Sequence, residues 1–125
     1  KHGMKNIFIV APTTPLSRIP VIVKQASGFV YYVSREGVTG VRDDLAGDLD
    51  QRVKEIRKHT ELPVVVGFGI STPEQVQGVS ACSDGVVVGS VLVNCISENL
   101  GNRDYILENI GSKSRWLTTG VLEKI

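Results

Sequence analysis

Val64-Val65-Val66-Gly67-Phe68-Gly69 and Val86-Val87-Val88-Gly89-Ser90 are two versions of one pattern, an apolar β-branched run that ends on glycine. Each run has the composition of a buried strand, and each glycine lets bare backbone N–H groups approach a ligand at the strand's end. Gly69 and Gly89 stand 20 residues apart, which leaves room for one short helix between the strands. Strand, helix and strand in that rhythm make a βαβ unit, and two adjacent strand ends can clasp one phosphate.

Two further runs, Ile7 to Ala11 and Phe29 to Val33, share the character of Val64 to Phe68 and Val86 to Val88. All four are continuous, not alternating, which predicts parallel strands buried on both faces. Helical signals lie between them. Thr14-Pro15 offers an N-cap and a first-turn proline for a stripe of Ile19, Ile22, Val23 and Ala26 that closes at Gly28, with Pro20 forcing a late start or a bend. Leu49, Val53 and Ile56 recur at helical spacing before Pro63. Thr72-Pro73-Glu74-Gln75 reads as a capping box ahead of Val76 and Val79. After Gly89-Ser90 a short helix through Val91 to Ile96 is expected, then an amphipathic segment through Ile106, Leu107 and Ile110 toward Trp116 and Leu122.

The bulk numbers exclude several classes. At 125 residues with 42% hydrophobic side chains, residues 1–125 read as a single domain with a real core. A net charge of +1 without a basic block, and only 6% aromatics, offers nothing to nucleic acid or an anionic membrane surface. The apolar runs are far short of the ~20 residues that span a bilayer, and no signal peptide opens the chain, so a cytoplasmic protein is expected. Cys82 and Cys95 lack paired spacing and read as buried thiols in a reducing compartment. His2 and His59 lack ligand spacing, so no metal is expected. Lys1-His2-Gly3 has the look of a helix end with a glycine C-cap, an unusual opening for a chain.

Four (βα) units in series fit either an open doubly wound sheet or half of an eight-stranded barrel, and periodicity does not separate them. Barrels of this kind hold phosphate after their last two strands, beside a short extra helix.

The segments Ala11-Pro12-Thr13-Thr14-Pro15, Tyr31-Tyr32-Val33-Ser34-Arg35-Glu36-Gly37-Val38-Thr39-Gly40, Leu62 through Pro73 and Asp84 through Ser90 resemble the tryptophan synthase alpha subunit family. The resemblance runs over essentially the whole chain. It implies an α/β fold of the TIM (β/α)8 barrel family, present here as a four-unit (βα)4 C-terminal half-barrel with parallel strands, the family's strands five to eight. It also implies a lyase of tryptophan biosynthesis that cleaves indole-3-glycerol phosphate to indole and glyceraldehyde 3-phosphate.

By the same resemblance, Gly69, Gly89 and Ser90, with Gly40, belong to the phosphate pocket, and Tyr31 and Phe68 line the indole pocket. Thr39 lies on a closing loop from Arg35 to Arg42, where it would meet the catalytic aspartate. The glutamate and aspartate that perform the family's acid–base chemistry fall before Lys1, so no catalytic residue is expected in these 125. Glu36, Asp43, Asp44 and Asp48 read instead as a solvated charged loop, and Asp84, ahead of its strand, as part of the barrel floor. The family's partner is a pyridoxal-phosphate-dependent beta subunit in an alpha-beta-beta-alpha complex; the chain itself needs no cofactor.

Two other readings remain open. A related phosphate-binding barrel such as an indole-glycerol-phosphate synthase would carry a lysine at a strand end, and none occurs. A non-catalytic phosphate-ligand binding or partner-docking fragment would bind but turn nothing over. In either case a half-barrel has two open edges and an uncovered interior, which predicts self-association.

Overall fold

The computed structural model describes residues 2–34, 43–67 and 69–121, with residues 43–47 described by their backbone alone. Strands β1 (Phe8–Val10), β2 (Val30–Val33), β3 (Val64–Gly67) and β4 (Gly85–Val87) form one parallel sheet in the order β1-β2-β3-β4. That order resolves the open question of architecture. A doubly wound sheet reverses its strand order at a switch point, whereas a barrel adds each strand beside the last. The chain is barrel-wound, and its strand C-termini share one end.

Between the strands run α1 (Ile19–Gln25), α2 (Asp43–Arg57) and α3 (Pro73–Ser80), and α4 (Ser90–Ser97) and α5 (Arg103–Thr118) follow β4. Thr14 does not cap α1: its Oγ1 accepts from the Ala11 N–H at 3.0 Å, and Pro15 leads into a 3-10 turn at Leu16–Arg18. Helix α1 starts late, at Ile19, so Pro20 falls in the first turn, where a missing N–H breaks no intrahelical bond. Asp43, Asp44 and Asp48, expected in a loop, belong to α2, which ends at Arg57 before Pro63 is reached. Asp43 and Asp44 fall in the first turn of α2, where acidic residues suit the helix dipole, and Asp48 falls in the second. Glu36 and Leu122 lie outside the described residues.

The capping box forms as expected, Thr72 Oγ1 accepting from the Gln75 N–H at 3.3 Å and Gln75 Oε1 accepting from the Thr72 N–H at 3.2 Å. On α5, Ile106, Ile110 and Leu117 turn inward, whereas Leu107 and Trp116 are exposed, with Lys113 Nζ 4.5 Å above the Trp116 ring. The chain beyond α5 packs back on α3 so closely that a β-carbon on Gly120 would stand 2.0 Å from the Pro73 carbonyl oxygen. Only glycine fits there. Cys95 is buried and Cys82 half-buried, not fully buried as the sequence predicts; among the described residues neither is in a disulfide.

The two faces of the sheet differ. Val10, Val30, Tyr32, Val64 and Val66 point to the helices and are at most 2% exposed. They meet Ile19, Val23, Val53, Ile56, Val76 and Val79 in one core, each side chain contributing about 1.5–3 kcal/mol through burial. On the other face the register sets Ile9, Tyr31, Val65 and Gly85 in one row, then Val33, Gly67 and Val87 in the next. Ile9 is 57% exposed, and Tyr31, Val33, Val65 and Val87 are only partly buried. The runs are apolar on both sides, but helices cover one.

Candidate functional site

Register brings the two glycine motifs together. Gly67 pairs with Val87 across β3 and β4, and Gly69 and Gly89 each stand two residues beyond that pair. Adjacent strands lie about 4.8 Å apart, so the two strand ends deliver their backbones side by side at the C-terminal end of the sheet. Gly69 takes φ +65°, a left-handed conformation that favours glycine. The turn after it is pinned at Gln75, whose Oε1 also accepts from the Ser71 N–H at 2.7 Å and Ser71 Oγ at 3.2 Å.

On the other side, Gly89 is the N-cap of α4 and Ser90 its first residue, both exposed. Helices α3 and α5 are capped by the side chains of Thr72 and Asn102, but α4 has no side-chain cap. First-turn N–H groups have no intrahelical partner and carry the positive end of the helix dipole. A β-carbon on Gly89 would meet nothing within 4 Å, so open space lies against these donors. With the Ser90 hydroxyl beside them, the arrangement is chemically suited to an anion.

Tyr31 stands on β2, one strand from Gly67 and on the same uncovered face. Its hydroxyl occupies the space next to Gly67, 2.8 Å from where a β-carbon would be. Glycine at position 67 is therefore what admits the Tyr31 side chain. The structure thus brings Gly69, Gly89 and Ser90 to one end of the sheet, with the Tyr31 hydroxyl reaching Gly67 from the row before it. Thr39, Gly40, Phe68 and the segment from Arg35 to Arg42 lie outside the described residues.

Ser34, at the end of β2, was not singled out by the sequence. Its Oγ is buried without a hydrogen-bond partner among the described residues, while its N–H donates to the Gly67 carbonyl at 3.1 Å. A polar residue after a strand is too common for its type alone to have marked it. Arg52 was also missed: its Nη2 donates to the Pro12 carbonyl at 3.2 Å, tying α2 to the loop that follows β1.

At the opposite end of the sheet, a cavity of about 290 Å³ is lined by Arg57, Thr60, Glu61, Leu62, Pro63 and Asp84. Here Asp84 Oδ2 accepts from the Val64 N–H at 2.9 Å and pairs with Arg57 Nη2 at 2.9 Å, which fastens the start of β3. This is the floor role expected of Asp84. Among the described residues no group of three or more His, Cys, Asp or Glu is placed to hold a metal ion, and no helix is long and apolar enough to cross a membrane.

Comparisons with known proteins agree on one family. The family model described as "Tryptophan synthase alpha chain" matches residues 1–120. The tryptophan synthase alpha chain of Opitutus terrae is 55% identical over 119 residues, covering 95% of this chain and 45% of that one. The alpha chain of a Geobacter species is 49% identical, covering 97% and 45%. Among solved structures, tryptophan synthase subunit alpha from Campylobacter jejuni superposes with a TM-score of 0.73 at 39% identity, over 86% of this chain and 42% of that one. A mutant alpha subunit from Pyrococcus furiosus gives 0.73 at 34% identity, over 94% and 46%. The chain thus spans about half the length of the relatives it matches, and its four (βα) units correspond to about half of their TIM barrel. With the family model covering nearly all its residues, the chain belongs to the tryptophan synthase alpha chain family.

Proposed function

We propose that this chain forms the phosphate- and indole-binding half of a tryptophan synthase alpha subunit, the lyase that cleaves indole-3-glycerol phosphate to indole and glyceraldehyde 3-phosphate. The observation that carries the reading is the pairing of Gly67 with Val87, which sets Gly69 beside the uncapped N-terminus of α4 at Gly89 and Ser90. The phosphate takes backbone N–H groups from that turn and helix end together with the Ser90 hydroxyl, all of which favour a dianion. Tyr31, and Phe68 by family resemblance, form the wall against the indole. Gly40 completes the phosphate pocket, and Thr39 acts from the loop that closes over it.

The acid–base carboxylates of the family's reaction are not among these residues, so the chain alone binds substrate without cleaving it. Its partner in catalysis is the family's beta subunit, which holds the pyridoxal phosphate; the alpha chain itself uses no cofactor. The uncovered sheet face and free edges make the isolated chain self-associate. Incubating the purified chain with indole-3-glycerol phosphate tests the absence of turnover: no indole is expected, and measurable indole release contradicts it. Binding is tested separately, by titration with an indole-alkyl phosphate.

A further inference from the structure

We propose that Gln75 is the positioning and charge-selecting residue of the phosphate cup, a neutral amide that fixes the turn after β3 where a carboxylate would repel the ligand. The inference rests on the phosphate reading above and adds what holds the cup in shape and why its support is uncharged. Gln75 Oε1 accepts from the Ser71 N–H at 2.7 Å, the Thr72 N–H at 3.2 Å and Ser71 Oγ at 3.2 Å. Two of those donors are backbone N–H groups, which only donate, so the atom they meet is the carbonyl oxygen and not the amide nitrogen. An oxygen with two lone pairs that already serves three donors has nothing left for a ligand. Gln75 therefore acts through the backbone it holds.

That backbone carries Gly69. On one side Gly67 is fixed by its pairing with β4; on the other Ile70 is 3% exposed, and Ser71 and Thr72 are tied to Gln75. Gly69, at φ +65°, is clamped between them. Glutamine is not what stability alone favours here. A glutamate serves the same donors with charge-assisted bonds, completes the same capping box and suits the positive end of the helix dipole. Helix α3 does carry an acid in its first turn, Glu74, but that side chain is exposed, whereas Gln75 is only 9% exposed. Two residues of backbone span at most about 7 Å, so with the 2.7 Å bond to Ser71 the Gln75 oxygen lies within about 10 Å of the Gly69 nitrogen. At that separation a unit charge lowers the affinity of a phosphate dianion about tenfold at low ionic strength. The amide keeps the turn and leaves out the charge.

Calorimetric titration of the 125-residue chain with an indole-alkyl phosphate, at about 0.01 M and about 1 M ionic strength, tests the proposal with Gln75→Glu and Gln75→Met. The Debye length shrinks from about 30 Å to about 3 Å between those conditions, so a charge effect fades and a positional one does not. Gln75→Glu is expected to fold as the native chain does, to bind about tenfold more weakly than the native chain at low salt, and to match it at high salt. Gln75→Met keeps the length but lacks the acceptor, and is expected to bind more weakly by roughly tenfold at both. If it fails to fold, Gln75→Asn takes its place, with an amide one methylene short of the turn and the same expectation. A Gln75→Glu chain that binds like the native at low salt, whose deficit ignores salt, or that does not fold overturns the charge selection. Native affinity in Gln75→Met, or in its replacement, overturns the positioning role. No binding by the native chain at millimolar ligand overturns the phosphate reading, and this inference with it.

Discussion

The hydroxyl of Tyr31 lies 2.8 Å from the place a β-carbon would take on Gly67, across the β2–β3 pair and on the uncovered face of the sheet. The same β-carbon would stand 2.8 Å from Val87 Cβ and 2.9 Å from the Val87 carbonyl oxygen. A tyrosine can swing away; a carbonyl inside a strand pair cannot. Gly67→Ala is therefore expected to cost about 1–3 kcal/mol by overpacking and to weaken binding of an indole-alkyl phosphate, because both Tyr31 and the β3–β4 strand ends move. Urea titration and calorimetry on the same variant check both effects. Adding Tyr31→Phe removes one of the three contacts and is expected to restore part of the stability; full restoration would place the strain at Tyr31 alone.

Gly89→Asp separates stability from binding. Aspartate is a better N-cap than glycine by a few tenths of a kcal/mol, and the open space over Gly89 accepts it. Its carboxylate would hold the donors proposed for the phosphate and repel the dianion. A slightly higher unfolding midpoint with loss of phosphate-ligand binding is expected; unchanged binding would remove α4 from the site.

Asp84→Ala tests the floor. It leaves the N–H of fully buried Val64 without its acceptor, at a cost of about 1–2 kcal/mol, while the half-exposed Arg57 pair adds little. Chemical denaturation should show that loss, and ligand affinity should stay at the native value.

Tyr32 gives a pH signature. Burial pushes its phenol above the usual value of 10.0, with Asp48 acting in the same direction and Arg52 against both. The folded state thus holds the proton more tightly than the unfolded chain. The stabilisation is complete below pH 10 and is lost as pH rises through the folded-state value. Tyr32→Phe removes this component, so the difference in unfolding free energy between native chain and variant is expected to change only on the alkaline side.

The strands and the glycine turns at their ends were legible because each rests on local chemistry: a β-branched run, a glycine after it, and a Thr72–Gln75 cap three residues apart. The Tyr31–Gly67 contact was not, since it depends on strand register, which no single segment carries. Pro20 signalled a late helix start correctly, but Thr14 misled, because a hydroxyl that can cap a helix can equally accept from its own turn. The open inner face was expected from the half-barrel and not from the runs themselves, which predicted burial on both faces. A continuous apolar strand has the same composition whether its second face is covered by its own chain or by something else.

Chemical-shift mapping with an indole-alkyl phosphate on the isotopically labelled 125-residue chain tests the central claim most directly. The account predicts saturable shifts centred on the amides of Gly69, Gly89 and Ser90, absent with the unphosphorylated indole and absent in Gly89→Asp. Shifts confined to the Arg57–Asp84 cavity, or no binding at millimolar ligand, would contradict it.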